Sequence, residues 1–161
     1  MKKILLFLFS AFLAVAASTP YYWVQIGTPV AIPNFIQPEA GCDWLGVGGQ
    51  VFDRTGLPVS GLVVRVTGTL EGNAISRFAL TGGSTQLGPG GFEIPLTNHP
   101  VDSYGAIQLQ LFDLAGAARS NSFALNPYQS CEQNLILVNL IEAPVNNHWY
   151  FPIIFFNRRS Q

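Results

Sequence analysis

The chain has 161 residues, of which 48% are hydrophobic and 11% charged, and its formal net charge is −1. After Lys3 there is no lysine, and the arginines that follow are scattered among an excess of carboxylates. No basic patch exists to neutralise phosphates, which excludes nucleic acid as a partner class.

Met1-Lys2-Lys3 is a charged start, and Ile4 to Ala17 is an apolar run that ends in small residues. Ala14-Val15-Ala16 and Ala16-Ala17-Ser18 both fit a small-x-small cleavage site, so residues 1–18 read as a secretory signal peptide. The run is shorter than the ~20 apolar residues a spanning helix needs. The expectation is an exported chain, secreted or held at the cell surface, with no transmembrane helix after cleavage. What remains is long enough for one domain with a real core.

Residues 19–41 carry four prolines and no helical period. Tyr22, Val24, Ile26, Val30 and Ile32 share one parity, so the segment reads as a linker or as an extra strand along a sheet edge. Phe35 and Ile36 make it more apolar than an ordinary linker. It is expected to be covered, either by its own domain or by the sheet edge of a neighbouring molecule.

Gln50-Val51-Phe52 opens the first strand–turn–strand unit. Asp53-Arg54-Thr55-Gly56 has the spacing of a type I turn, with Asp accepting backbone N–H groups and Gly closing it. In the strand that follows, Leu62, Val64, Val66 and Leu70 fall on one face and Val63, Arg65, Thr67 and Thr69 on the other. This period of two marks a half-buried strand, and a slip of one residue would expose the whole apolar set. A third strand runs from Asn73 to Leu80, after the turn Glu71-Gly72-Asn73. Residues 81–91 are glycine-rich and form a loop, without the Gly-Lys-Ser/Thr or helix of a phosphate cradle. Phe92, Ile94 and Leu96 make a fourth strand; Pro95 places it at an edge or ends it early.

Ala106 to Leu114 is the fifth strand, with Ile107, Leu109 and Leu111 inward. Asp113-Leu114-Ala115-Gly116 repeats the earlier turn, and Gln-Leu-Phe-Asp here echoes Gln-Val-Phe-Asp there. Ala117 to Leu125 gives a sixth strand and Asn134 to Ile141 a seventh. Seven short strands with regular turns predict an all-β, seven-stranded antiparallel Ig-like sandwich over residues 42–141. Residues 142–161 form an apolar tail, with Trp149, Tyr150 and Phe151 as candidate contact residues. Its run is too short to cross a bilayer as a helix, and an exposed segment of this kind invites association.

The unit from Gly49 through Asp53, Gly56, Pro58, Gly61, Val64 and Val66, with Thr81 and Gly91-Phe92 later, resembles the carboxypeptidase regulatory-like domains. The resemblance covers roughly residues 42–140. It implies a prealbumin-like β-sandwich, and the form with Cys42-Asp43-Trp44 upstream is similar to modules of bacterial extracellular proteins. It carries fold, whereas function has to come from a site.

Cys42 and Cys131 bracket the predicted sandwich, and export to an oxidising space makes a disulfide between them the first reading. His99 and His148 stand in no metal-ligand spacing, so no metal and no cofactor is expected. No acid, base and nucleophile assemble into a catalytic set, and Asp53 and Asp113 read as turn residues. The expectation is a non-enzymatic module that acts as a structural, assembly or adhesion component. Its partners would be copies of itself or other surface proteins, met through residues 19–40 or 145–161. The alternative is a glycan- or ligand-binding module that uses Trp44, Tyr22 and Trp23 as stacking platforms.

Overall fold

A computed structural model describes residues 21–144. Residues 1–18, read from the sequence as a signal peptide, and the tail residues Trp149, Tyr150 and Phe151 lie outside the described residues. Within them the chain is all-β, with short 3-10 turns as its only helical pieces. The strands are β1 (Tyr21–Gln25), β2 (Val30–Ile32), β3 (Leu45–Phe52), β4 (Val63–Leu70) and β5 (Asn73–Leu80). They continue with β6 (Gly91–Thr97), β7 (Ile107–Phe112), β8 (Phe123–Leu125), β9 (Leu135–Leu137) and β10 (Leu140–Pro144).

These strands form two sheets. One is antiparallel, in the order β5-β4-β7-β8. The other runs β1-β10-β3-β9-β2, with β6 paired to the far side of β3. This second sheet has four tracks. β1 and β2 pair in succession with β10 and β9, antiparallel. β9 and β10 in turn pair in succession with β3, parallel.

The expectation of seven antiparallel strands is therefore corrected to ten strands with mixed pairing. Two physical causes account for the difference. The predicted strand 134–141 breaks at Val138-Asn139, where the Asn139 carbonyl accepts the Ile26 N–H at 2.8 Å and its Oδ1 accepts the Gln50 N–H at 2.9 Å. The segment before Cys42 contributes β1 and β2, which pair with their own chain. Parallel pairing is made by distant segments and carries no local turn signature, so alternation in one strand does not reveal it.

The main core lies between the sheets. Val47, Val51, Phe92 and Ile94 come from one, and Val64, Val66, Leu109 and Leu111 from the other. Burying each such side chain contributes about 1.5–3 kcal/mol. A second cluster of Ile36, Trp44, Leu87 and Leu135 covers part of the outer face of the mixed sheet. It fits there because β3 carries glycine: a Cβ on Gly46 would overlap the Trp44 ring, and one on Gly48 would crowd Leu87. β3 is consequently buried on both faces from Leu45 to Gly49.

The flanks of the two sheets meet. β5 lies alongside β6, and β6 pairs with β3 alone, which suits Pro95. On the opposite flank, Trp23 of β1 forms a parallel bridge with Ser120, just ahead of β8.

Candidate functional site

Trp23 is 6% exposed and belongs to the main core. Its backbone N–H donates to the Arg119 carbonyl at 2.8 Å, and its Nε1 donates to the Phe52 carbonyl at 3.0 Å. The Arg119 guanidinium sits 5.4 Å from its ring centroid, within cation–π range. Tyr22 is half-buried and donates its hydroxyl to the Ser120 carbonyl at 3.0 Å. Ser120 is buried, and its Oγ accepts the Leu111 N–H at 2.9 Å. Tyr22 and Trp23 thus serve the seam between the sheets.

Trp44 is 5% exposed, packed on Gly46 with Ile36, Leu87 and Leu135. It presents no open ring face to a sugar. Near it, Cys42 and Cys131 form a disulfide with their Cα atoms 5.0 Å apart. Asn134, fully buried, ties this region together. Its Oδ1 accepts the Asn34 N–H at 2.8 Å, and its Nδ2 donates to the carbonyls of Gly41 at 2.8 Å and Trp44 at 3.0 Å. Sequence reasoning passed over Asn134; the available signal was an amide directly before the apolar run Leu135-Ile136-Leu137.

The two Asp-x-x-Gly turns have the same geometry. The Asp53 Oδ1 accepts the N–H groups of Thr55 at 2.8 Å and Leu57 at 2.9 Å, and the Thr55 hydroxyl at 2.7 Å. The Asp113 Oδ1 accepts the N–H groups of Ala115 at 3.0 Å and Ala117 at 2.8 Å. Gly56 and Gly116 close them at φ +85° and +84°, a left-handed conformation that glycine adopts without a Cβ penalty. The Thr55 hydroxyl, followed by the Leu57 N–H, holds the Asp53 carboxyl below its ordinary pKa. Elsewhere, His99 Nε2 lies 3.0 Å from Glu71 Oε1 at the surface, linking the β4–β5 and β6–β7 connections. Among the described residues no three His, Cys, Asp or Glu side chains gather closely enough to hold a metal ion. No described helix is long and apolar enough to cross a membrane.

The flank sealed by Trp23 and Ser120 opens further along. β2 and β8, three residues each, pair with β9 alone and β7 alone. Between them lies a cleft of about 380 Å³, lined among others by Val30, Ala31, Ala124, Asn126, Tyr128 and Ile136. Val30 is more than half exposed at its rim. The cleft therefore exposes two unpaired strand edges over a floor of mixed polar and apolar side chains, an arrangement that accepts an added extended segment.

No family model matches the chain, and no curated protein matches it. Among solved structures, similarity extends to the dioxygenase domain of a dioxygenase–carbohydrate-binding protein fusion from the cellulolytic bacterium Streptomyces sp. SirexAA-E. The alignment covers 79% of this chain and 82% of that one, at 15% identity and a TM-score of 0.35. A likeness that loose carries no argument about what this chain does.

Proposed function

We propose that the chain is an exported, non-enzymatic β-sandwich module of carboxypeptidase regulatory-like, prealbumin-like type. It acts as a structural component that assembles with copies of itself outside the cell. The observation that carries this reading is the open cleft between β2 and β8 on an otherwise joined flank. The occupant is the apolar run Trp149 to Phe156 of a second copy. Pro152 divides the run, and Ile153 to Phe156 after it is apolar at both parities, the pattern of a short strand buried on both faces.

β10 leaves the sheet at Pro144, opposite Tyr21, whereas the cleft lies level with Val30, opposite Leu137. The same run folded back into its own cleft would leave a monomer, so the native mass separates that arrangement from assembly.

The test is the native mass of the oxidised, full-length secreted protein by light scattering, beside Ile154→Asp, Ala124→Lys and a form ending at Pro144. The expected result is defined oligomers or polymers that fall to monomers in all three variants. A monomer in the unmodified protein overturns the reading. So does an oligomer that survives both point substitutions.

A further inference from the structure

A second groove, with different chemistry, lies on the outer face of the mixed sheet. Its volume is about 380 Å³, and Phe35, Gln50, Gln86, Leu137 and Asn139 line it above Gly49. That volume is at the small end of the ~300–1,000 Å³ of ligand pockets. No ionisable side chain contributes to it. Phe35 leaves 50% of its surface open, while the adjacent Ile36, 3% exposed, anchors the segment into the second cluster.

The polar groups are carboxamides, and one of them is fixed. Asn139 Oδ1 accepts the Gln50 backbone N–H at 2.9 Å, which commits its oxygen to the scaffold and leaves its NH₂ as donor. The Gln50 carboxamide lies against Gly88, where a Cβ would stand 2.9 Å from Oε1. Gln86 is exposed on the turn Thr85–Leu87, whose Leu87 is buried in the second cluster. Donors and acceptors thus stand beside an open aromatic ring, on elements held by core packing.

We infer that the groove between Phe35 and the carboxamides of Gln50, Gln86 and Asn139 binds a neutral carbohydrate chain. A sugar ring offers what these groups take. Its hydroxyls both donate and accept, as carboxamides do, and its C–H face lies against an aromatic ring. A charged ligand would find no counter-charge here. An extended peptide would find little strand edge to pair with, because β3 pairs with β6 on one side and, on the other, its Gly48 carbonyl and Gln50 N–H are taken by Val138 and Asn139. The inference is independent of self-assembly through the cleft, since no residue of β2 or β8 lines this groove.

The experiment uses the full-length oxidised protein. Affinity electrophoresis through gels containing cellulose-, xylan-, mannan- or starch-derived soluble polysaccharide is followed by calorimetric titration with the matching hexasaccharide. Polygalacturonate and an unstructured Gly/Ser peptide are the controls. The variants are Phe35→Ala and Gln86→Ala, both at exposed positions, checked for unchanged thermal midpoint. The expected result is retardation by at least one neutral polysaccharide, weakened at least tenfold in each variant. Retardation by none, by polygalacturonate alone, or to the same extent in both variants overturns the inference, as does binding of the peptide instead.

Discussion

The indole Nε1 of Trp23 donates to the main-chain carbonyl of Phe52 at 3.0 Å, across a gap of 29 residues. Phe52 is the last strand residue before the Asp53 turn, and the Trp23 backbone N–H bonds to Arg119, three residues past the Gly116 that closes the matching turn. One residue near the start of the described chain thus holds both repeated hairpins.

Trp23→Phe keeps most of the apolar contact and removes the donor to Phe52. The Phe52 carbonyl is left without its partner, a loss of about 1–3 kcal/mol. Trp23→Ala also opens a cavity and costs about 3–5 kcal/mol. Urea unfolding, read by circular dichroism, should place the two variants in that order.

Asn134 satisfies Asn34, Gly41 and Trp44 at once from a fully buried position. Asn134→Leu keeps the branched outline but strands one N–H and two carbonyls, so a loss of about 3 kcal/mol is expected. The loss should persist when Cys42 and Cys131 are reduced, because the hydrogen bonds do not depend on the bridge. Denaturant melts with and without reductant check both statements.

Gly49 and Gly56 are both glycines of the first hairpin unit, yet they answer to different constraints. A Cβ on Gly49 would overlap the Val138 carbonyl oxygen, where β3 passes the break between β9 and β10. Gly56 meets nothing within 4 Å but sits at φ +85°. Gly49→Ala should prevent accumulation of folded protein or cost more than about 3 kcal/mol, as overpacking against backbone does. Gly56→Ala should cost only about 1–2 kcal/mol, from left-handed strain. Yield and thermal midpoint of the two variants separate the mechanisms.

The Asp53 carboxyl is held below its ordinary value of 3.8, chiefly by the Thr55 hydroxyl and then by the Leu57 N–H. A depressed folded-state value means the turn's contribution is fully present above the unfolded pKa. It is lost as pH falls through the lower, folded one. The window therefore lies below 3.8, and at neutral pH the contribution is unchanged. A carboxyl-carbon NMR titration should show Asp53 titrating below that value, and Thr55→Val should move it upward. A wild-type midpoint at or above 3.8 would contradict the turn geometry.

Much of the chain is legible locally. Alternation in 62–70 and 106–112 predicts which side chains enter the core, and Val64, Val66, Ile107, Leu109 and Leu111 are buried as it requires. Asp-x-x-Gly spacing is turn chemistry within four residues, and it appears at Asp53 and Asp113 with matching hydrogen bonds. Cys42 and Cys131 are the chain's two cysteines, so their pairing needed no geometry. Pairing between distant segments is different, because it depends on backbone approach rather than on any neighbour in sequence. Only the tertiary structure places β9 and β10 parallel to β3, splits them at Asn139 and sets β1 beside β10. It also buries Trp44 and Leu135 on a face that strand alternation leaves to water, because glycines in β3 let a second cluster lie flush on the sheet. Pairing across the chain likewise makes Trp23 a seam residue, while Phe35 stays open, a contrast that hydropathy alone does not contain.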